Sequence, residues 1–120
     1  MKVIYVAHPF RGDEIGNAGK VAQICRELHK DYPDYLFVSP IHAFGWFRDD
    51  HDGALEHCLR MLARCDELWL FGEWQNSAGC MMERHEAMRL GIPVCAPTRI
   101  PPRIPLRIPL RIPLEVKRRG

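Results

Sequence analysis

Residues 67–95 read ELWLFGEWQNSAGCMMERHEAMRLGIPVC, and this stretch decides the fold. Glu67 to Phe71 is a short apolar run of strand formers, Gly72 to Asn76 is a loop, and Ser77 is suited to cap a helix. The helix runs to Leu90, Gly91 supplies a left-handed stop, and Ile92-Pro-Val-Cys-Ala96 begins another strand. A strand, a helix and a strand with connections this short form a crossover unit whose strands lie parallel.

The alternation continues towards the N terminus. Val3 to Ala7 is a β-branched and aromatic run that closes into His8-Pro9, as a buried strand entering a loop would. From Asp13 to about Asp31 the positions Ile15, Ala18, Val21 or Ala22, Cys25 and Leu28 follow helical spacing, with Asp13 placed as the cap. Tyr35 to Ser39 is a second strand stopped by Pro40. Gly53 to Cys65 is a second helix with Leu55, Cys58 or Leu59, and Leu62 on one face, and Asp52 is suited to cap it. The order βαβαβαβ predicts a small Rossmann-like, flavodoxin-like α/β sandwich of three layers around a mainly parallel sheet of four to five strands.

At 120 residues and 47% hydrophobic content, the chain can enclose one core but not two. The expected organisation is an α/β domain over residues 1–98 and a basic tail over 99–120. The tail holds seven arginines and lysines against Glu115, a charge of +6, which leaves −4 on the preceding residues of a chain whose net charge is +2. Its Arg-Ile-Pro-Leu repeat forbids a helix through the prolines. That leaves an extended strip that pairs along one edge, or a disordered basic tail. No stretch approaches the roughly 20 apolar residues of a membrane span. Five cysteines without a CxxC pair fit reduced thiols. A cytoplasmic protein without a leader is expected, and the acidic body is not expected to bind nucleic acid.

In such sheets ligands sit at the carboxyl ends of the strands, which selects His8 to Gly12 and Gly72 to Gly79. Phe10 offers an aromatic face, Arg11 a fork of donors, and Ser77 and Gly79 open a helix whose free amides favour an anion. Gly79 costs about 1 kcal/mol against alanine inside a helix, and close approach of a ligand is a reason for it. On the same helix Gly79 or Cys80, Glu83, Ala87 and Leu90 share a face. Glu83 is therefore an acid on an inward stripe, or one at its edge that reaches solvent or an arginine such as Arg11. Glu86 faces outward and can pair with Arg89. Phe44, Trp46 and Phe47 either pack in the core or roof a base. His57 is a helix-surface or satisfied core histidine. Asp49, Asp50, His51 and Asp52 are too closely spaced to converge on one ion, so no metal is expected, and no cofactor.

As a set these motifs resemble the nucleoside 2-deoxyribosyltransferase-like superfamily, including its short bacterial and phage members. Ala7-His-Pro-Phe-Arg-Gly12 is similar to that family's Ala-Gly-Pro-x-x-Gly loop, and Asn17 matches an asparagine early in its first helix. Cys65-Asp-Glu-Leu-Trp-Leu-Phe-Gly72 and Ser77-x-Gly79-x-x-x-Glu83-x-x-x-Ala87-x-x-Leu90-Gly91-Ile-Pro-Val94 resemble its second half. The resemblance implies that Glu83 is a nucleophile acting on the anomeric carbon of a 2-deoxyribonucleoside or its 5′-monophosphate. It places His8, Pro9 and Phe10 along the base and Ser77 and Gly79 on the sugar or phosphate, with Arg11 and Gly72 in the same loops. It also implies a homo-oligomer. Two positions depart from the pattern: His8 replaces a glycine, and Ser77 stands where an acid is often found. Transfer and hydrolysis are both compatible with this set, as is a nucleotide-binding module without turnover.

Overall fold

The computed structural model describes residues 1–47 and 51–97. Asp49, Asp50 and the tail of residues 99–120 lie outside the described residues. The elements in chain order are β1 (Val3–Ala7), α1 (Glu14–Asp31), β2 (Leu36–Val38), α2 (Pro40–Ala43), α3 (His51–Leu62), β3 (Glu67–Leu70), a 3-10 turn (Trp74–Asn76), α4 (Ala78–Leu90) and β4 (Val94–Cys95). The four strands form one parallel sheet in the order β2-β1-β3-β4. From β1 the chain steps outward to β2, then crosses back to lay β3 on the other side of β1. The direction of winding therefore reverses between β1 and β3, the place where such sheets open a crevice at their carboxyl ends.

Alternation along the strands divides the core. Ile4 and Val6 of β1, with Trp69 and Phe71, pack against Val21, Ile24 and Leu28 of α1. Tyr5 and Ala7, with Leu68 and Leu70, pack against Leu62 of α3 and Cys80 and Ala87 of α4. Tyr32, Tyr35, Phe37 and Trp69 meet ring to ring on the α1 side, with Tyr32 5.5 Å from Trp69. Glu67, at the amino end of β3, is buried and accepts from Lys2 Nζ at 2.6 Å and Trp69 Nε1 at 2.9 Å.

The caps of α1 and α4 are local and form as their residues dictate. Asp13 accepts from the Gly16 amide and Ser77 from the Cys80 amide. Gly91 adopts φ +77, and the Ile92 amide returns to the Ala87 carbonyl at 2.9 Å, a Schellman closure that turns Ile92 into the core. Leu90 is thereby displaced from the inward stripe and is 40% exposed.

On α1 the buried positions are Asn17, Val21, Ile24 and Leu28. Ile15 is 89% exposed because it lies about 200° around the helix from Asn17. The second helix begins at His51, so Asp52 sits in its first turn and is not its cap. Two short elements are additional to the expected order: α2, capped by Ser39 with Pro40 at its start, and the 3-10 turn within the Gly72 to Asn76 loop. Among the described residues no helix is long and apolar enough to cross a membrane, and no cluster of His, Cys, Asp or Glu could hold a metal ion.

Candidate functional site

Helix α4 carries Cys80, Glu83 and Ala87 on its buried face. The carboxylate enters the layer between that helix and the sheet, where Tyr5 rises from the centre of β1. Tyr5 Oη donates to Glu83 Oε2, and Glu83 is only 6% exposed. It therefore reaches neither solvent nor Arg11, which is exposed. Burial pushes the Glu83 pKa from 4.5 up to about 7, while the Tyr5 hydrogen bond pulls it back down. The carboxyl is thus divided between its two charge states at neutral pH. Burial, and then the neighbouring carboxylate, holds the Tyr5 pKa well above its ordinary value, so the phenol remains a donor.

Two thiols line the same layer. Cys58 of α3 contacts the Tyr5 hydroxyl, and burial raises it to about 11. Cys80 is raised to about 12 by burial and by Glu83. Both remain thiols at neutral pH and serve as packing and not as nucleophiles. Glu83 is the ionisable group of this layer that can offer an electron pair.

The loop after β1 sits at the reversal point. His8, Pro9 and Phe10 are half-buried, and Gly12 is exposed. Buried Asn17 clamps the loop by donating from Nδ2 to the Phe10 carbonyl at 2.9 Å. His8 Nδ1 lies 2.7 Å from the Pro9 carbonyl oxygen. Across from it, Gly72 follows β3 with φ +69, and a Cβ there would come within 2.8 Å of His8 Nε2 and 3.1 Å of Pro9 Cδ. Gly72 is accordingly required by the protein's own packing. Gly79 differs: a Cβ there would meet nothing nearer than Ser77 Oγ at 3.9 Å, so the space over the first turn of α4 is open.

His8, Pro9, Gly72, Ser77 and Gly79 thus occur at the carboxyl edge of the two central strands, with Glu83 one turn deeper along α4. Arg11 lies on the exposed rim. Phe44, Trp46 and Phe47 form a surface cluster in place of core: Trp46 is 66% exposed, stacks on Phe47 at 4.3 Å, and meets His57 of α3. Glu86 is held by Arg89 at 2.6 Å on the outer face of α4. Sequence reasoning missed Tyr5 and Cys58 as neighbours of the carboxylate. A signal for Tyr5 exists, because a phenol within a fully buried strand needs a hydrogen-bond partner.

Among solved structures, the chain is similar to the 2-deoxyribosyltransferase of the psychrotolerant bacterium Bacillus psychrosaccharolyticus. The TM-score is 0.54 at 22% identity, over 82% of this chain and 76% of that one. At that identity the likeness bears on the fold, and it agrees with the Rossmann-like arrangement of a four-stranded parallel sheet between helices. No curated protein matches. Residues 2–96 match the model of a family described as "Domain of unknown function (DUF7768)", and the chain belongs to that family.

Proposed function

We propose that the protein transfers or hydrolyses the N-glycosyl bond of 2-deoxyribonucleosides or their 5′-monophosphates, with Glu83 as nucleophile. The observation that carries this reading is the buried Glu83 carboxyl, held by Tyr5 between α4 and the sheet and poised near neutral pH. A retaining mechanism needs one ionised carboxylate beside the anomeric carbon, fixed so that its attack is unimolecular. The Glu83 carboxylate attacks C1′, the C1′–N bond breaks, and the electron pair leaves with the base. A glycosyl ester remains. Water or a second base then attacks C1′ and releases Glu83. Open space over Gly79 and the capped amino end of α4 suit a sugar hydroxyl or phosphate. His8, Pro9 and Phe10 would line the base, with Arg11 at the rim. The functional unit would span residues 1–98, and pairing of copies would complete it.

The test is free-base release from a panel of deoxynucleosides and deoxynucleoside monophosphates, with and without a second base, in the wild type and Glu83→Gln. Release lost in the variant is the expected result. The depth of Glu83 favours a second reading, a nucleotide-binding module without turnover. Ligand binding with no base release from any substrate would select it.

A further inference from the structure

The Tyr5 hydroxyl has one proton and two lone pairs. Its proton goes to Glu83 Oε2, which leaves the lone pairs for a donor, and Tyr5 is fully buried in its strand. Cys58 supplies one. It lies one turn before Leu62 on α3 and packs against the core cluster that contains Tyr5 and Leu62. Its thiol is in hydrogen-bonding contact with the Tyr5 hydroxyl. Burial raises that thiol to about 11, so the sulfur keeps its proton at neutral pH and can donate it. The other thiol of the layer, Cys80, meets Ser77 at the start of its own helix. Among the described residues, Tyr5 of β1, Cys58 of α3 and Cys80 of α4 are the titratable groups that act on Glu83 or are acted on by it.

We propose that Cys58 is a positioning residue: its S–H donates to Tyr5 Oη and so holds the phenolic proton on the Glu83 carboxylate. This rests on the glycosyl reading above and adds the support behind its nucleophile. A phenolic hydroxyl turns about its C–O bond and can aim its proton at any acceptor in reach. A donor seated on its oxygen removes that freedom and polarises the O–H towards the carboxylate, and hydrogen bonds linked in this way strengthen one another. Glu83 is charged before it attacks C1′ and charged again when the ester breaks, whereas the ester itself is neutral. A Tyr5 proton already aimed at Oε2 favours the charged form at both of those points, and Cys58 acts there only through Tyr5.

Cys58→Val tests the assignment, because it fills the space and removes the donor, while Cys58→Ser restores one. Cys58→Ala deletes the same bond at smaller volume, so a failure to fold in one deletion variant is covered by the other. Infrared titration of the carboxyl stretch, with Glu83→Gln as the blank, reads the ionisation of Glu83 without relying on activity. A thiol is a weak donor, so the effect is a fraction of that of Tyr5. The pH at which Glu83 ionises should rise by about half a unit in Cys58→Val, and the pH profile of base release should move with it, about twofold slower at pH 7. Cys58→Ser should return both towards the wild type, and in a Tyr5→Phe background Cys58→Val should change neither. An unmoved midpoint in the folded deletion variants, the same shift in Cys58→Ser, or a shift that persists without the Tyr5 hydroxyl would each overturn the assignment. Absence of base release from the wild type, with the midpoint shifts intact, would instead defeat the glycosyl reading and leave the hydrogen-bond chain standing.

Discussion

Glu83→Gln should make the fold less sensitive to alkali, by an amount the site itself dictates. The carboxyl's pKa is near 7 in the folded chain against an ordinary 4.5, so the folded state binds this proton more tightly than the unfolded state. Stability is then greatest below pH 4.5, falls as pH rises between the two values, and levels off above 7. Each unit is about 1.4 kcal/mol, which makes the charged carboxylate destabilising by about 3 kcal/mol in full. Glutamine keeps the shape and an oxygen to accept from Tyr5 but has no charge to desolvate. Urea denaturation at pH 5 and pH 9 reads the effect. The wild type should lose about 2 to 3 kcal/mol more than the variant across that range, on the order of 10 °C or more in Tm for a domain of this size. Equal pH dependence in the two proteins would refute the assignment of a buried carboxyl whose charge the Tyr5 hydrogen bond only partly offsets.

Three further outcomes follow from the same geometry. Tyr5→Phe removes a hydrogen bond worth about 1.5–3 kcal/mol to a charged acceptor. The pH at which Glu83 ionises should therefore move upward by about 1–2 units, and glycosyl turnover at pH 7 should fall by about tenfold or more. Gly79→Ala meets open space and should raise stability by up to about 1 kcal/mol in thermal melts. If the substrate passes over that turn, KM should rise at the same time. Ser77→Ala removes the cap on the Cys80 amide and should cost about 1 kcal/mol in a denaturant titration.

Much of this arrangement is legible in the sequence because its determinants are local. Ser77 and Gly91 mark the ends of α4 through caps that depend on neighbouring residues, and the alternation of apolar runs places the loops after β1 and β3 at one edge. Long-range partners are not legible in the same way. Tyr5 and Glu83 are 78 positions apart, and spacing assigns each to a face without showing that the two faces meet. The stripe on α1 fails for a related reason. Hydropathy selects Ile15 and Ala18, whereas tertiary contact places the polar Asn17 inward to clamp the Phe10 carbonyl. The segment after β2 is similar: aromatic composition suggests core, yet Trp46 is displayed on the surface. Glu67 reads as the mere start of a strand until β1 brings Lys2 beside it.

The interlock of His8 with Gly72 has a consequence for how this chain can vary. An imidazole on one strand end occupies the volume that a side chain on the other would need, so a change at residue 72 depends on what stands at residue 8. A substitution at residue 72 meets the His8 ring first, and shortening residue 8 relieves that contact, leaving Pro9 Cδ at 3.1 Å and the cost of the left-handed backbone. The order of mutation therefore matters. Routes away from this loop are easier through residue 8 before residue 72, and a bulkier group at 72 would force the histidine ring to move.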